Sequence, residues 1–385
     1  MQRAHKIRIY PNREQEVQLR KTAGTARYAY NWALAKWKSM YEDYTNGVSM
    51  EKPTTTLLSR IWTQERPDWS HEVDRCVGQR AILNVGEAFQ NLWRGTAKYP
   101  TFHKKGRKDT FYIQNAKAYI RDGRIHLPKV GKVRLAEDLR YQGKIMSYTV
   151  SHYADQWHVS VQVELNEDVR PQCANPDSVV GIDVGLHTPA TVSDGTILQK
   201  PPRLERLKQR LKSAQRALAR KQKGSANRRK ALLRKQKIQL KIDNIRTDAL
   251  HKFTTTIAKS HGTVVTESLD AKGMMQGDNK LVRKGMAYSL MSRLITMISH
   301  KAQKHVKADR FYPSTKMCSH CGHVRDFITL DERTYVCPNC GVSIDRDLNA
   351  AINLMNYAGR VTPGEPVDSM ACHGVEAGST MPFQG

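Results

Sequence analysis

Two pairs of cysteines near the carboxyl-terminal end of the chain constrain its fold more than any other feature. Cys318 and Cys321 form one Cys-x-x-Cys pair, and Cys337 and Cys340 form a second pair after fifteen intervening residues. A glycine directly follows each pair, as in the knuckle turns of a zinc ribbon. Four thiolates fill a tetrahedral Zn²⁺ coordination sphere and leave no position for water, so we predict a structural zinc site at these residues.

The charge of the chain indicates a polyanionic partner. Of the 385 residues, 63 are Lys or Arg and 36 are Asp or Glu, which gives a formal net charge of +27. Nucleic acid is the most common polyanion that such a basic protein binds. A hydrophobic fraction of 39% excludes a disordered basic tail, and no apolar run approaches the roughly 18 residues of a membrane span.

Length and cysteine usage bound the size class and the compartment. At roughly 100–200 residues per domain, the chain has room for two or three domains. The amino terminus runs into a strand-like segment without an apolar signal region. The cysteines outside the two pairs stand alone, at positions 76, 173 and 372, as in a protein that keeps its thiols reduced. We therefore expect a cytoplasmic or nucleoid protein with no membrane partner.

Residues 1–170 are predicted to form a β domain with a helical insertion after its first strand. Residues 4–10 alternate like a strand, and Asn12 and Gln15 form a capping box that starts a helix. Helical periodicity continues to about residue 95. Further strand-like runs are at 109–114, 124–127, 145–151 and 157–164. We assign residues 1–10 and 96–170 to the β domain. We assign residues 11–95 to the helical insertion.

A second domain is predicted to follow an irregular linker at 166–177. Residues 179–183 form a buried-strand run, and strand-like runs at 188–193 and 196–198 flank Asp194-Gly195, a strong hairpin signal. Another strand is predicted at 263–266 and a helix at 285–308. The predicted boundaries are 171–313 with 343–357 for this domain, 314–342 for an inserted zinc ribbon, and 358–385 for a flexible tail.

Residues 203–252 are predicted to form a basic helical hairpin inside the second domain. Between residues 203 and 241, 16 residues are Lys or Arg and Glu205 is the only acid. Leucines at 3–4 spacing form an apolar seam, and the sequence at 224–227 breaks the helix. A solvated hairpin is the alternative, but this density of positive charge favours contact with phosphates. The candidate contacts are Arg216, Arg220, Arg228 and Arg229.

Three carboxylates are candidates for metal-dependent catalysis. Asp183 ends the first strand of the second domain, Glu267 ends a later strand, and Asp347 lies where a final helix begins. In the RNase H arrangement, carboxylates in this order converge at one edge of a sheet. Two Mg²⁺ ions about 4 Å apart relieve their repulsion, activate water and stabilise the leaving 3′ oxygen of a phosphodiester. The alternative is structural, because Asp345 or Asp347 would also cap the helix.

Several motifs closely resemble the TnpB family of insertion-sequence transposons, which is similar to the ancestors of type V CRISPR nucleases. In the second half they are Gly181-Ile182-Asp183-Val184-Gly185-Leu186, Thr266-Glu267-Ser268-Leu269, the two cysteine pairs and Asp345-Arg346-Asp347-Leu348-Asn349-Ala350-Ala351. Looser similarity in the first half extends the resemblance over residues 3–357. The family often has an acid where this chain has Ser268, and we expect the difference to be tolerated because Glu267 is in place.

The resemblance implies a multidomain α+β and α/β fold. An N-terminal β wedge domain with an inserted helical recognition domain would precede an RNase H-like RuvC domain with an inserted Cys₄ zinc ribbon. The Mg²⁺ ligands would be Asp183, Glu267 and Asp347. The family motif favours Asp347 over Asp345, because the third acid of the family directly precedes x-Asn.

The resemblance also implies a function, that of an RNA-guided DNA endonuclease in a prokaryotic cytoplasm or nucleoid. A guide RNA from the transposon end would pair with target double-stranded DNA, while the protein recognises only a short adjacent motif. One RuvC site would then cut both strands in turn. An asymmetric RNA scaffold favours one protein per RNA.

The residues that recognise the adjacent motif are expected in the helical insertion and the wedge. Gln79 and Arg80 are candidates, because Gln and Arg side chains hydrogen-bond base edges. The loop at 99–108 adds three basic candidates, Lys104, Lys105 and Arg107. The alternative is that both sets are ordinary exposed polar residues. We interpret three nearby aromatic residues as packing residues rather than base-stacking platforms: Tyr28, Trp32 and Phe102.

Other functions make different predictions. A nuclease-inactive RNA-guided repressor or transposition regulator would bind without cutting, but all three acids are retained, so we expect cleavage. A strand-transferring transposase linked to these elements needs a His-x-His metal pair, and none occurs among the fourteen histidines. A junction-resolving RuvC dimer would need neither the Cys₄ ribbon nor a large basic N-terminal half.

Overall fold

The computed structural model of the protein describes residues 1–106, 109–114, 117–185, 188–268, 286–329 and 331–360. Contacts between residues divide the chain into two units. The first contains residues 1–168 and 209–241, and the second contains residues 169–208 and those from 242 onward. Among the described helices, none is both long and apolar enough to span a bilayer.

An antiparallel sheet forms the centre of the first unit, with the strand order β2-β6-β7-β1-β5-β4-β3. Its strands are β1 (Gln2–Tyr10), β2 (Asp109–Gln114), β3 (Tyr119–Arg121), β4 (Arg124–Leu127), β5 (Gly131–Leu135), β6 (Lys144–Tyr153) and β7 (Gln156–Glu164). Along β1, buried His5, Ile7 and Ile9 alternate with exposed residues, as the sequence predicts. β1 pairs with β7 on one side and β5 on the other, so the first strand is central in the sheet.

The predicted helical insertion follows β1. It contains α1 (Arg13–Thr45), α2 (Thr55–Glu65), a 3-10 helix at Asp68–Glu72 and α3 (Arg75–Trp93). The predicted capping box starts α1: Gln15 N donates to Asn12 Oδ1 at 2.8 Å, and Asn12 N donates to Gln15 Oε1 at 3.0 Å. Aromatic packing joins α1 to α3, because Trp37 and Phe89 stack with ring centroids 4.8 Å apart.

The aromatic residues predicted to pack differ in their burial. Trp32 packs against the helical core. Tyr28 is partly exposed, but its ring lies 5.1 Å from that of Trp69. Phe102 is 49% exposed. Lys38 Nζ lies 5.2 Å from its ring centroid, so Phe102 packs only in part.

A smaller mixed sheet forms the centre of the second unit, with the order β11-β10-β8-β9. Its strands are β8 (Val179–Asp183), β9 (Thr191–Val192), β10 (Thr263–Thr266) and β11 (Lys304–Lys307). β8, β10 and β11 are parallel, and β9 is antiparallel to β8. The predicted hairpin after β8 is present, but its last strand is reduced to a single bridge between Thr191 and Ile197.

The helices described in the second half are α4 (Arg203–Ala219), α5 (Ala226–Ser260), α6 (Met286–Lys301) and α7 (Arg346–Tyr357). The basic helical hairpin is thus present, with its predicted seam residues Leu204, Leu207, Leu211 and Ala214 buried in α4. Residues 209–241, which include the tip of the hairpin, belong to the first unit.

The predicted helix at 285–308 is too long. α6 ends at Lys301, and residues 304–307 pair in parallel with β10 as the edge strand β11. The reason is tertiary: Val306 packs against the small core formed by Val265, Ala308 and Leu354. The short Lys-His-Val-Lys segment has one apolar residue, so its own pattern does not indicate a strand.

The inserted ribbon is built on a two-stranded antiparallel ladder of β12 (Thr334–Val336) and β13 (Ser343–Asp345). Tyr335 is buried beneath it. The first three residues of the predicted tail, Ala358–Arg360, form a 3-10 helix. The rest of the predicted tail, residues 361–385, lies outside the described residues.

Candidate functional site

Asp183 and Glu267 meet because they follow paired positions on neighbouring parallel strands. β8 and β10 pair with Ile182 opposite Thr266, so the next residue along each strand is a carboxylic acid. The side chains of Asp183 and Glu267 interact directly with each other, and this interaction contributes to a raised pKa of Asp183. Asp347, in the first turn of α7, interacts electrostatically with Asp183. The structure therefore places Asp183 and Glu267 side by side, with Asp347 near enough for its charge to act on Asp183, and we call these three acids the carboxylate cluster.

Burial and repulsion change the protonation of the carboxylate cluster. Burial raises the pKa of Asp183 well above its ordinary value, and the negative charges of Glu267 and Asp347 raise it further. Burial also raises the pKa of Glu267, although hydrogen bonds from Ser314 and Asp183 oppose this effect. The metal-free cluster therefore resists full ionisation, and a divalent cation would relieve the repulsion responsible.

A close approach of strand and helix sets the position of Asp347. A Cβ atom at Gly181 in β8 would lie less than 3.0 Å from Ala351 O and Met355 N of α7. Only glycine allows the helix backbone to come this near the strand. Gly181 lies two residues before Asp183, and Ala351 lies about one helical turn after Asp347. The contact therefore fixes the separation between these two acids.

Asp345 and Asp347, the two candidates for the third acid, have different partners. Asp345 is the N-cap of α7, and its Oδ1 accepts a hydrogen bond from Leu348 N at 3.0 Å. Asp347 Oδ1 accepts a hydrogen bond from Arg346 Nη2 at 3.3 Å. Of the two acids, Asp347 is the one whose charge acts on Asp183.

The four predicted cysteines form a compact cluster. Their sulfur atoms all lie within 4.8 Å of one another, with Cys318 Sγ 3.7 Å from Cys340 Sγ and Cys321 Sγ 3.5 Å from Cys337 Sγ. Tetrahedral ligands at a Zn–S distance of about 2.3 Å are about 3.8 Å apart. Disulfide bonds, by contrast, join sulfurs about 2.05 Å apart. The cluster therefore fits one structural Zn²⁺.

The two cysteine-pair turns have the backbone that such a site needs. Gly322 N donates to Cys318 O at 2.9 Å, and Gly341 N donates to Cys337 O at 3.0 Å. Both glycines have positive φ, 77° and 74°, a conformation that other residues rarely adopt. Hydrogen bonds from the backbone of His323 and from Asn339 lower the pKa of the Cys321 thiol to about 6, whereas desolvation and hydrogen bonds with the other three cysteines raise the pKa of the Cys340 thiol to about 12, so the thiols do not ionise alike without a metal.

Two buried asparagines of α7 join the helix to the chain segment at the first cysteine pair. Asn349 Nδ2 donates to Met317 O at 2.7 Å, and Asn349 Oδ1 accepts from Ser319 N at 2.9 Å. Asn353 Nδ2 donates to Ser314 O at 2.8 Å and to Met317 O at 2.6 Å. Ser314 Oγ in turn donates to Glu267 Oε1 at 3.1 Å. The ribbon and the carboxylate cluster are therefore connected through hydrogen bonds.

Sequence reasoning missed the roles of these residues. Asn349 served only as a landmark for the choice of Asp347, and Ser314 and Asn353 were not singled out. The available signal was the i, i+4 spacing of two amides on a face of α7 that is otherwise apolar, with Ala350 and Leu354 buried beside them.

Only some of the residues predicted to recognise the adjacent motif lie around one cavity. In the first unit, Arg80 and Lys104 line one cavity of about 490 Å³. Arg80 Nη2 also forms an ion pair with Glu87 at 2.8 Å. Gln79 is half-buried and Lys105 is exposed, and neither lines this cavity. Arg107 lies outside the described residues.

The loop that carries Lys104 is held against α1. His103 N donates to Asn31 Oδ1 at 2.7 Å, and Asn31 Nδ2 donates to His103 O at 3.0 Å. The imidazole of His103 stacks on Tyr30 with ring centroids 3.8 Å apart. Burial and the nearby Arg27 lower the pKa of His103, so the stacked ring is neutral at physiological pH. These contacts make the cavity wall a fixed surface.

The candidate phosphate-binding arginines of the hairpin are not equivalent. Arg216, Arg220 and Arg229 are exposed. Arg228 is half-buried, and its Nη1 donates to Leu218 O at 3.0 Å and to Lys221 O at 2.9 Å. Carbonyls at the end of a helix have no partners within it. Arg228 therefore closes the turn after α4, a structural role that the sequence did not indicate.

Three family models match separate parts of the chain. The model described as "Helix-turn-helix domain" matches residues 1–45, where the structure has β1 followed by the single long helix α1. The model described as "Probable transposase" matches residues 158–278, which include Asp183 and Glu267. The model described as "Cas12f1-like, TNB domain" matches residues 292–354, which include Asp347 and the four paired cysteines.

Relatives match over nearly the whole chain. A protein of Streptomyces pristinaespiralis named "Putative RNA-guided DNA endonuclease" is 33% identical over 365 residues, which cover 92% of this chain and 89% of that protein. The protein of Escherichia coli (strain K12) named "Putative RNA-guided DNA endonuclease InsQ" is 28% identical over 373 residues, covering 91% of each chain. Together with the motifs and the family-model matches, these relatives show that the chain belongs to the TnpB family.

A solved structure supports the predicted fold class. The chain described in "Cryo-EM structure of the Cas12f1-sgRNA-target DNA complex" has a TM-score of 0.58 to this protein at 13% identity, and the match covers 92% of this chain and 99% of that chain. At this identity the likeness shows the fold alone. The prediction of a β wedge with a helical insertion, followed by an RNase H-like domain that carries a cysteine ribbon, is confirmed.

Proposed function

We propose that this protein is an RNA-guided DNA endonuclease of an insertion-sequence transposon. The observation that carries the proposal is the carboxylate cluster, in which Asp183, Glu267 and Asp347 come from three separate elements. Such a group of half-buried acids, with the pKa values of Asp183 and Glu267 raised, costs stability in the absence of a cation, so a purely structural role does not account for it. The names of the relatives and the net charge of +27 support nucleic acid as the substrate.

The carboxylate cluster fits Mg²⁺, because that ion prefers hard carboxylate oxygens. Bound there, most simply as two ions, Mg²⁺ would supply an activated water and stabilisation of the leaving 3′ oxygen. The residues of the chain orient the acids: Ser314 holds Glu267, and the Gly181 contact positions Asp347.

The remaining parts of the proposal concern recognition. A guide RNA from the transposon end binds the exposed basic residues of the helical hairpin, including Arg216, Arg220 and Arg229, and one protein binds one RNA. Base pairing between guide and target supplies most of the sequence specificity. The cavity lined by Arg80 and Lys104 is our candidate for recognition of the short adjacent motif in double-stranded DNA.

Two neighbouring acids of α7 provide a matched test. Asp347→Asn removes a proposed metal ligand, so Mg²⁺-dependent cleavage of a guide-matched plasmid should fall to background. Asp345→Asn leaves a good N-cap residue in place, so cleavage should stay near the wild-type rate. Full activity of the Asp347→Asn protein would contradict the assignment. Guide-dependent binding by the wild-type protein without any cleavage would instead favour the nuclease-inactive repressor.

A further inference from the structure

Phe311 is an exposed aromatic residue beside the carboxylate cluster. Its side chain is 84% exposed. It lines a cavity of about 550 Å³ together with Glu267, Tyr312 and Ser314. Cavities of roughly 300–1,000 Å³ accommodate small molecules, and a nucleobase is of that class. The cavity therefore has room for one base next to a proposed catalytic acid.

The chain on either side of Phe311 is fixed, although its ring is not covered. Phe311 N donates to Asp309 Oδ1 at 2.8 Å, and Asp309 N donates to Tyr357 Oη at 3.2 Å. Tyr312 Oη donates to Asn353 O at 3.0 Å. Both neighbours are thus anchored to α7, the helix that carries Asp347. Because the backbone around Phe311 is already fixed, only the side-chain rotamer of Phe311 loses conformational freedom when a flat ligand stacks on the ring.

The position of Phe311 suits a nucleotide near the site of cleavage. Ser314, which hydrogen-bonds Glu267, lies three residues away, and three residues span at most about 10 Å. One strand of DNA advances about 3.4 Å per nucleotide. The side chains add to this span and an unpaired strand is not held to the duplex rise, so a base on Phe311 would belong to a nucleotide a few positions from a phosphate at the cluster. The guanidinium of Arg310 lies 5.8 Å from the ring centroid and adds positive charge for the sugar-phosphate chain.

We propose that Phe311 is a stacking platform for one unpaired base of the DNA strand that is being cut, a proposal that rests on the proposed nuclease function. Stacking tolerates any sequence, because every base has a π face. An enzyme whose target is chosen by its guide needs such tolerance at the cut site. The stacked base would hold the strand so that the neighbouring phosphate stays at the carboxylate cluster.

Single-turnover cleavage by the full-length protein with its copurified guide RNA tests the platform. Phe311→Ala should slow cleavage of a guide-matched target by about 5- to 150-fold, and Phe311→Trp should restore it. Phe327→Ala is the matched control, because Phe327 lies in the nearby ribbon and is 72% exposed but does not line the cavity. An abasic nucleotide moved along the cut strand should slow the wild-type protein at one position and leave Phe311→Ala unchanged there. Equal rates for wild-type and Phe311→Ala proteins would overturn the proposal.

A fluorescence readout separates this proposal from the nuclease proposal. 2-Aminopurine placed at successive positions of the unpaired DNA strand should lose fluorescence at one position when the protein–RNA complex binds, and Phe311→Ala should restore the signal. Quenching without cleavage by the wild-type complex would retain the platform and refute the nuclease. Cleavage without Phe311-dependent quenching would retain the nuclease proposal and refute the platform. Phe311-dependent quenching of 2-aminopurine in the guide RNA, and not in the DNA, would assign the ring to RNA and overturn the proposal.

Discussion

Substitution of Gly181 by alanine is the sharpest test of how the fold positions the carboxylate cluster. The new Cβ atom would lie less than 3.0 Å from Ala351 O and Met355 N, whereas ordinary van der Waals contacts begin at 3.4 Å. Both atoms belong to the backbone of α7, so no side chain can rotate to make room. The helix must therefore move away from β8 and carry Asp347 away from Asp183.

The displacement of α7 should lower both the stability of the protein and its rate of cleavage. Overpacking a core costs about 1–3 kcal/mol. For a unit of this size, that corresponds to a fall in melting temperature of about 2–12 °C. A misplacement of about 1 Å at a reacting centre costs about 100-fold in rate, so we expect cleavage to fall by about 10- to 100-fold. Binding of guide RNA should change little, because the hairpin arginines are distant in sequence from the contact.

The assay compares Gly181→Ala with Gly359→Ala by thermal unfolding, RNA binding and single-turnover cleavage. Gly359 follows α7, and a Cβ atom there would meet nothing within 4 Å, so its substitution should leave all three measurements near wild type. A Gly181→Ala protein that cuts at the wild-type rate would refute the reasoning, since Asp347 would then not depend on the close approach of helix and strand.

Three further predictions concern the acids, the cysteines and the hairpin. Because the pKa of Asp183 is raised in the folded protein, stability in the presence of a chelator should fall as pH rises above the ordinary carboxyl value of 3.8, and Asp183→Asn should weaken this dependence in thermal unfolding curves. Cys337→Ser should reduce bound zinc from about one equivalent to near zero by metal analysis, whereas Cys173→Ser, outside the cluster, should not. Arg220→Gln combined with Arg229→Gln should reduce the slope of log RNA affinity against log salt by about 0.7–0.9 for each phosphate that is no longer neutralised, and an unchanged slope would contradict phosphate binding.

The sequence was most informative where chemistry depends on short spacing or on strand order. The two Cys-x-x-Cys pairs predict their own convergence, because each pair forms a local turn. Asp183 and Glu267 could be predicted to meet because acids at the ends of neighbouring parallel strands share one edge of the sheet. The choice between Asp345 and Asp347 was harder from residues alone, because both lie at the start of the same helix. The family motif favours Asp347, and in the structure Asp345 caps α7 whereas the charge of Asp347 acts on Asp183.

The features that the sequence did not reveal depend on contacts between distant segments. Asn353 bonds a carbonyl 39 residues earlier in the chain, and nothing in the local pattern identifies that partner. The close approach at Gly181 likewise requires a helix about 170 residues later, and a glycine within a strand is equally typical of a bulge or a tight bend. Arg228 was indistinguishable from its basic neighbours until the turn after α4 showed the carbonyls that it binds.

The central claim is that this protein cuts DNA chosen by a guide RNA, at the carboxylate cluster. The most direct test expresses the protein with its native flanking DNA, sequences any copurified RNA, and adds Mg²⁺ and a plasmid library that places the guide match beside randomised bases. We expect a bound RNA and cleavage of the plasmids that share one short adjacent motif, with cleavage lost in Asp183→Ala. Cleavage that persists in Asp183→Ala, or a wild-type protein that neither retains RNA nor cuts the library, would contradict it.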